Sequence, residues 1–248
     1  MLDSMLLYKK QVGPAVDSNT LLLLNAYGGT IKDFSSKNAV VTNSGMTVDS
    51  TNKLFGYPTI KTPDAGGAYL SIPNPTYLLA GTNDFTVETY FWVKNILFQS
   101  ADNSYWWPFI SWGSWHNGTS PYNFDLAYTE SSYGYTSLWA WTYANASSQK
   151  QIANPSIGKI VRGAWHHIAY QRMSGQWQMF YDGTALAAPA ADAYNYVLNY
   201  STALLVGRML GGSGGAVSWY ASGNFYGTRV SNIARYTTGN FNPFITGY

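Results

Sequence analysis

The acidic residues that could carry out catalysis are few and widely spaced. Glycoside hydrolysis requires two carboxyl groups that flank the scissile bond, and the chain contains two glutamates, Glu88 and Glu130. Neither has a second acid two positions away, the spacing that places two side chains on one face of a strand. Asp125 lies five positions before Glu130. The sequence therefore predicts no catalytic residues and no enzymatic activity, and a glycosidase would need distant acids to converge in the fold.

The histidines and aspartates do not form a metal-binding pattern. His166 and His167 are adjacent, so on a strand their side chains point to opposite faces and cannot hold one ion together. Asp84 and Asp182 are isolated acids, whereas calcium takes about six to eight oxygen ligands. We therefore expect no metal site and no cofactor.

One stretch resembles the loop of a serine nucleophile by its letters alone. Residues 211–215 read Gly-Gly-Ser-Gly-Gly and satisfy the pattern G-x-S-x-G. That motif needs a helix directly after the serine turn, whereas residues 216–220 have the composition of a strand. We interpret residues 211–215 as a flexible glycine-rich loop.

Aromatic side chains are the strongest candidates for a binding function. They make up 17% of the chain, against 10% for charged residues. Tryptophan and tyrosine rings can stack on the apolar face of a sugar while neighbouring amides and hydroxyls bind its edge. The predicted ligand-binding residues are Trp106, Trp107, Tyr133, Tyr135, Trp219 and Tyr220, all close to Gly, Ser or Asn. The alternative interpretation is that these rings pack in the core or on a sheet face, because large aromatics dominate burial.

Composition limits the compartment and the partners. The formal net charge is +2 without any run of basic residues, so we expect no nucleic-acid partner. No apolar run approaches the roughly 18 residues of a membrane span, so we expect no membrane insertion, and the first residues lack a signal-peptide pattern. Cysteine is absent, which excludes disulfides and indicates folding in a reducing cytoplasm, even for a protein that later acts outside a cell.

The elements that would position these residues are β-strands. Two apolar runs flank Ser174-Gly175, and a third follows Asp182-Gly183. Asp-Gly between apolar runs is a strong hairpin signal, because a primed turn requires positive φ. The pattern predicts a three-stranded antiparallel meander over residues 165–186, inside a sheet and covered on both faces. Residues 97–157 predict three or four short strands with long connections.

A series of short motifs follows one another along the chain. They are D-x-S at 33–35, K-x-F-G at 53–56, G-x-Y-L-x-I-P at 67–73, D-F-T-V-E at 84–88, W-H-H-I-A at 165–169, L-x-V-G at 204–207, R-V-S-x-x-A-R-Y at 229–236 and F-x-P at 241–243. In this order and spacing they resemble the laminin G-like and concanavalin A-like lectin-glucanase jelly-roll superfamily. The resemblance implies an all-β fold, with an antiparallel jelly-roll β-sandwich over residues 21–248 and an N-terminal arm over residues 1–20.

The same motifs are most similar to those of superfamily members encoded by bacteriophages. The resemblance implies a non-catalytic structural or binding protein of a virion, as a capsid decoration or a tail or fibre appendage, in multiple copies per particle. Residues 1–20 would attach it to other virion proteins, and the aromatic residues would give it glycan-binding capacity towards host surface polysaccharide. The alternatives are a lectin-like adhesin and, third, a glycoside hydrolase, because one fold hosts many functions.

Overall fold

The structure is a computed structural model in which strands and turns account for almost all of the described chain. The described residues are 16–73, 75, 77–78, 80–95, 104–112, 124–131, 136–145, 148–153, 157–192, 196–197, 203–211, 217–236 and 239–244. Among them the helical structure is a single 3-10 turn, Tyr27–Gly29, and no helix is long and apolar enough to cross a membrane.

The strands are numbered in chain order. They are β1 Thr20–Asn25, β2 Lys32–Asp33, β3 Thr42–Ser44, β4 Thr47–Leu54, β5 Tyr57–Lys61, β6 Tyr69–Ile72, β7 Ala80–Gly81, β8 Phe85–Asn95, β9 Ser104–Trp112, β10 Phe124–Ser131, β11 Thr136–Asn145, β12 Ser148–Ala153, β13 Trp165–Met173, β14 Gln176–Tyr181, β15 Thr184–Ala185, β16 Ala190–Ala191, β17 Tyr196–Val197, β18 Leu204–Val206, β19 Arg208–Gly211, β20 Val217–Tyr220 and β21 Ser222–Ser231.

These strands form two large antiparallel sheets. Within the described residues, ten strands make one sheet in the order β15-β14-β13-β8-β21-β1-β2, with β16 beside β14 and the β4–β5 hairpin attached to β21 through β5. Seven make the other, in the order β12-β11-β10-β9-β18-β6-β3. Two further pairs, β7 with β17 and β19 with β20, are not part of the hydrogen-bonded ladder of either large sheet.

The period of two along each strand separates a shared core from two outer faces. On β8, Phe85, Val87 and Phe91 are buried between the sheets, where apolar residues of β10 face them. Burying each such side chain stabilises the fold by about 1.5–3 kcal/mol. The architecture is the expected all-β antiparallel jelly-roll sandwich.

The three-stranded meander is confirmed, although it lies further out than expected. β13, β14 and β15 pair in sequence. Both residues of each connecting turn have positive φ, 50° and 73° at Ser174-Gly175 and 48° and 76° at Asp182-Gly183, as type I′ turns require. β13 is buried on both faces, but β14 and β15 form one end of the sheet rather than its interior. The strand at that end, β15, is two residues long.

The strands within residues 97–157 are longer than expected. β9 to β12 contain nine, eight, ten and six residues. On β10, Leu126 is opposite Ile110 while the next residue, Ala127, is opposite Pro108, so Phe109 is an extra residue on β9. Such a bulge accommodates a proline inside a strand. It keeps β9 continuous where Pro108 would otherwise have ended the strand.

The described part of the expected N-terminal arm is attached to the sandwich. Arg235 donates two hydrogen bonds to the carboxylate of Asp17, at 3.0 and 2.8 Å. The hydrogen bonds from Arg235 hold the pKa of Asp17 well below its usual value. Thr20 already belongs to β1. The first fifteen residues lie outside the described part of the chain, so their role as an attachment arm stays a prediction.

A C-terminal strap, residues 232–236 and 239–244, covers the outer face of the ten-stranded sheet. The Tyr90 hydroxyl donates to the Pro243 carbonyl at 2.6 Å. The ring of Phe241 stacks on Tyr236 with centroids 4.0 Å apart. The Tyr236 hydroxyl in turn donates to the carboxylate of Glu88 on β8.

Glu88 lies at the centre of a closed ionic cluster beneath this strap. Arg229 Nε donates to Glu88 Oε1 at 2.6 Å, and His167 Nε2 lies 3.0 Å from Oε2. Burial alone would raise the pKa of Glu88, but the Arg229 and His167 charges and hydrogen bonds outweigh it and lower the pKa to about 2. Glu88 is therefore an ionised structural acid, which agrees with its place in the D-F-T-V-E motif.

Candidate functional site

A two-stranded hairpin, β19–β20, packs on the outer face of the seven-stranded sheet. Met209 and Trp219 are opposite each other in the hairpin and pack together with Trp106 of β9 and Ala127 of β10. The Trp106 and Trp219 rings have centroids 6.1 Å apart. This apolar layer anchors the hairpin, and strand alternation turns Arg208 and Tyr220 to the opposite side of it.

Arg208, Tyr69 and Tyr220 form a half-buried corner next to that layer, named here the Arg208 corner. Arg208 and Tyr220 are opposite each other in the hairpin, and Tyr69 reaches them from β6. The guanidinium carbon Cζ lies 4.6 Å from the centroid of Tyr69 and 5.5 Å from that of Tyr220. One guanidinium N–H donates to Ser218 Oγ at 3.0 Å. Cation–π contacts of this kind contribute about 0.5–1 kcal/mol each and orient the guanidinium.

A buried carboxyl group lies on the same outer face of the sheet. Asp125 on β10 is opposite Ser111 on β9, and the Ser111 hydroxyl donates to its Oδ1. Its second oxygen, Oδ2, has no hydrogen-bond partner among the described residues. Burial raises the pKa of Asp125 to about 7, against the opposing effect of the Ser111 hydrogen bond. The group can therefore exchange a proton near neutral pH, a property that clusters at functional sites.

The predicted ligand-binding residues are distributed over different environments. Trp107 is fully buried in the core, and Trp106 and Trp219 are 7% and 3% exposed. All three tryptophans therefore pack inside the protein, as in the alternative interpretation, because adjacent residues on a strand face opposite sides and each had a layer to pack against. Tyr220 is half-buried and belongs to the Arg208 corner.

Tyr133 and Tyr135 lie outside the described residues. Whether they contribute to a sugar site stays a prediction.

The carboxylates do not form a facing pair in the described part of the chain. Asp125 and Glu130 are five residues apart on β10, so their side chains lie on opposite faces of that strand. Glu130 pairs with Lys159 at 3.3 Å and with Arg162 at 3.7 Å. Glu88 is buried in the other sheet.

His166 and His167 make separate structural contacts. His166 Nδ1 lies 2.8 Å from Asp182 Oδ2, and its Nε2 lies 2.9 Å from the Val161 carbonyl oxygen. Burial lowers the pKa of His166, but these two acceptors outweigh it and leave the pKa raised. His167 faces Glu88 on the other side of the strand. No group of three His, Asp or Glu side chains that could hold a metal ion occurs among the described residues.

A small cavity opens at the rim of the sandwich, away from the Arg208 corner. It has a volume of about 190 Å³ and is lined by Leu21, Tyr77, Asn83, Asp84, Phe85, Ser231 and Asn232. Pockets that hold drug-sized ligands usually enclose about 300–1,000 Å³. The rim cavity is therefore too small for a sugar chain.

Two residues of the Arg208 corner escaped the sequence analysis. Tyr69 belongs to the G-x-Y-L-x-I-P motif, and Arg208 directly follows the L-x-V-G motif. The sequence feature that could have indicated these two residues is the glycine-rich stretch 211–215, which lies between the paired strands β19 and β20. Strands on both sides of that connection would have put Arg208 opposite Tyr220. The contact with Tyr69 joins residues far apart in sequence, and no local pattern indicates it.

Comparison with known proteins relates the chain to others by structure alone. No family model matches the sequence, and no curated protein matches it. Among solved structures, the binding domain of Paraclostridial mosquitocidal protein 1 superposes with a TM-score of 0.63 at 12% identity, covering 88% of this chain and 50% of that one. The chain thus spans about half the length of that binding domain.

Two other similar structures come from different protein classes. Domain 4 of AbnA, a GH43 extracellular arabinanase from Geobacillus stearothermophilus in complex with arabinotriose, gives a TM-score of 0.59 at 11% identity, over 91% of this chain and 95% of that one. The enzymatically active domain of tailspike protein 2 from bacteriophage CBA120 gives 0.57 at 14% identity, over 79% and 29%. At these identities the similarity shows a shared β-sandwich fold.

Proposed function

We propose that this chain is a non-catalytic glycan-binding domain of a bacteriophage virion, carried as a capsid decoration or a tail appendage. The observation that carries the proposal is the Arg208 corner, where Tyr69 and Tyr220 are half-buried beside an oriented guanidinium. Exposed ring surface next to hydrogen-bond donors is what a sugar requires. The corner is held by a tryptophan layer, so it is preorganised for binding.

Structural neighbours support the binding part of this proposal. The AbnA domain was solved with arabinotriose, and botulinum neurotoxin type C depends for cell entry on two ganglioside molecules. The bacteriophage tailspike supports a virion context. By analogy of fold, this chain would recognise polysaccharide on a host cell surface, in many copies that compensate for weak single contacts.

The distribution of carboxylates supports a role without catalysis. A glycosidase needs two carboxyl groups across one bond, whereas Asp125, Glu130 and Glu88 occupy three separate surroundings. The tailspike neighbour is named as an enzymatically active domain, so hydrolysis is the competing function. The direct test is release of reducing sugar from bacterial surface polysaccharide, and release that disappears in Glu130→Gln would overturn the non-catalytic proposal.

Binding is tested on an array of bacterial polysaccharides with the purified protein at high surface density. Each stacking ring contributes about 0.5–1.5 kcal/mol beyond burial, so Tyr220→Ala and Tyr69→Ala should each weaken binding several-fold. Tyr57→Ala, which removes a half-buried tyrosine from the other sheet, is the control and should bind as wild type. Absence of binding to any glycan would leave a purely structural virion role, for which mass spectrometry of purified virions is the test.

A further inference from the structure

The arginines of the described chain differ in how their charge is compensated. Four of them pair with a carboxylate: Arg162 with Glu130 at 3.7 Å, Arg172 with Asp192 at 3.4 Å, Arg229 with Glu88 at 2.5 Å and Arg235 with Asp17 at 2.8 Å. Arg208 has no carboxylate within 4 Å among the described residues. Its Nε is buried without a hydrogen-bond partner there, and a serine hydroxyl is the acceptor recorded for its other nitrogens.

The described acids are engaged elsewhere. Asp33 accepts from the turn that it begins, Asp49 from Asn224, Asp64 from Lys94, Asp84 from the Ser174 backbone, and Asp125 from Ser111. The remaining described acids are Asp17, Glu88, Glu130 and Asp192, which pair with the arginines above, and Asp182, which pairs with His166. Among the described residues the buried Nε of Arg208 lacks a partner, which costs free energy, and the terminal nitrogens of this half-buried side chain remain accessible to a ligand.

We propose that the Arg208 corner recognises the carboxylate of an acidic sugar in a polysaccharide. This inference rests on the proposed glycan-binding function and names the class of sugar. The planar guanidinium matches a carboxylate with two parallel N–H···O bonds, and the rings of Tyr69 and Tyr220 offer an apolar surface for the sugar ring that carries it. Among the described residues no second cation contacts either ring, so the corner suits the single charge of a uronic or sialic acid better than a phosphomonoester.

The experiment compares each acidic polysaccharide with its own carboxyl-reduced form. The probes are polygalacturonic acid, hyaluronan and polysialic acid, each before and after reduction of the carboxyl groups, together with a neutral polysaccharide set and a phosphomannan that carries phosphomonoesters. Wild-type protein should bind at least one acidic polymer at least about tenfold more tightly than its reduced form, because a charge-assisted hydrogen bond contributes roughly 10- to 100-fold.

Variants separate the guanidinium from net charge and from folding. Arg208→Gln should lose that preference, and Arg208→Lys, which keeps the charge but not the planar fork, should lose most of it. Arg162→Gln removes the same charge from an exposed side chain at another site and should bind as wild type. Melting temperatures of all variants establish that they are folded.

The outcomes distinguish failure of the acidic-sugar inference from failure of the proposed glycan-binding function. Equal binding of acidic and reduced polymers, or undiminished preference in Arg208→Gln, overturns the acidic-sugar inference and leaves glycan binding intact. Preference for the phosphomannan over all carboxylated polymers overturns the carboxylate assignment in favour of a phosphomonoester. Absence of binding to every probe, neutral ones included, removes the glycan-binding function and this inference with it.

Discussion

Each of the two sheets has a buried carboxyl group on its outer face, and the pKa values of these two groups are shifted in opposite directions. Glu88, on the ten-stranded sheet, is surrounded by Arg229, His167 and Tyr236, and its pKa falls to about 2 despite burial. Asp125, on the seven-stranded sheet, has a hydroxyl and a backbone N–H as partners, and burial raises its pKa to about 7. On the first face the carboxylate is paired with cations. On the second face Asp125 and Arg208 do not pair with each other.

This difference separates structural charge from charge available to a ligand. On the ten-stranded sheet, Arg229, His167 and Tyr236 each make a hydrogen bond to the carboxylate of Glu88, so the cluster links the C-terminal strap to the sheet. On the seven-stranded sheet, Arg208 is half-buried and has no carboxylate partner among the described residues, whereas Asp125 is buried and holds its proton up to about pH 7. Proteins seldom keep buried or half-buried charge uncompensated unless it has a function.

Breaking the closed cluster should have the largest effect. In Glu88→Gln the guanidinium of Arg229 stays buried without its counter-charge, so unfolding free energy should fall by about 3–5 kcal/mol. Urea denaturation measures it. Asp64→Asn removes an acid from an exposed pair with Lys94 and should leave the denaturation midpoint unchanged. Equal behaviour of the two variants would show that the Glu88 cluster is no more structural than a surface pair.

The raised pKa of Asp125 predicts that it destabilises the fold as pH rises. The folded state holds this proton up to about pH 7, whereas the unfolded chain releases it near the ordinary aspartate pKa of 3.8. The stabilising contribution is therefore complete below the unfolded pKa and is lost as pH rises to the folded pKa. Between pH 5 and pH 8 the loss amounts to about 2–3 kcal/mol.

Asp125→Asn tests this pH dependence, because an amide does not titrate in the range. Unfolding free energies are measured from urea titrations at pH 5, 6.5 and 8. Between pH 5 and pH 8 the unfolding free energy should fall by about 2–3 kcal/mol less in the variant than in wild type. His166, whose pKa is also raised, contributes a decline common to both proteins, so the difference isolates Asp125. Parallel curves would mean that Asp125 is ionised in the fold and has a partner.

The strap also closes over the turn at Gly183. Its φ is +76°, and a Cβ built there would lie 1.8 Å from the Phe241 carbonyl oxygen. Gly163 has nearly the same φ, +77°, with no atom near its Cβ position. Gly163→Val should therefore cost about 1–2 kcal/mol for the left-handed conformation alone, and Gly183→Val about 1–3 kcal/mol more for the clash. Equal costs, measured as shifts of the thermal midpoint, would mean that the strap does not press on this turn.

Much of the fold was predictable because its determinants are local. The apolar runs beside Ser174-Gly175 and the Asp182-Gly183 dipeptide each depend on a few neighbouring residues, and both matched the structure. The lengths of β9 to β12 did not, because a bulge at Phe109 absorbs Pro108 through pairing with β10. That pairing partner cannot be identified from either strand alone.

The site was less predictable because it depends on which face each ring takes and what covers it. Tyr220 was anticipated as a binding residue, but its neighbour Trp219 faces the other way and is buried by Trp106. Arg208 stands out because no described carboxylate pairs with it. That can be recognised only when the positions of the described acids in the fold are known. Composition gave the supply of aromatics, and tertiary packing decided which of them remain on the surface.

The smallest effect on stability should come from the open face. Arg208→Gln removes two cation–π contacts and one hydrogen bond to Ser218, all half-exposed, so unfolding free energy should fall by about 1–2 kcal/mol. Arg172→Gln removes a buried guanidinium that pairs with Asp192 at 3.4 Å and should cost about 3–5 kcal/mol. Both are measured by urea denaturation at pH 7. A loss of similar size in the two variants would mean that Arg208 is part of the closed structure, and its lack of a carboxylate would then be no sign of a ligand.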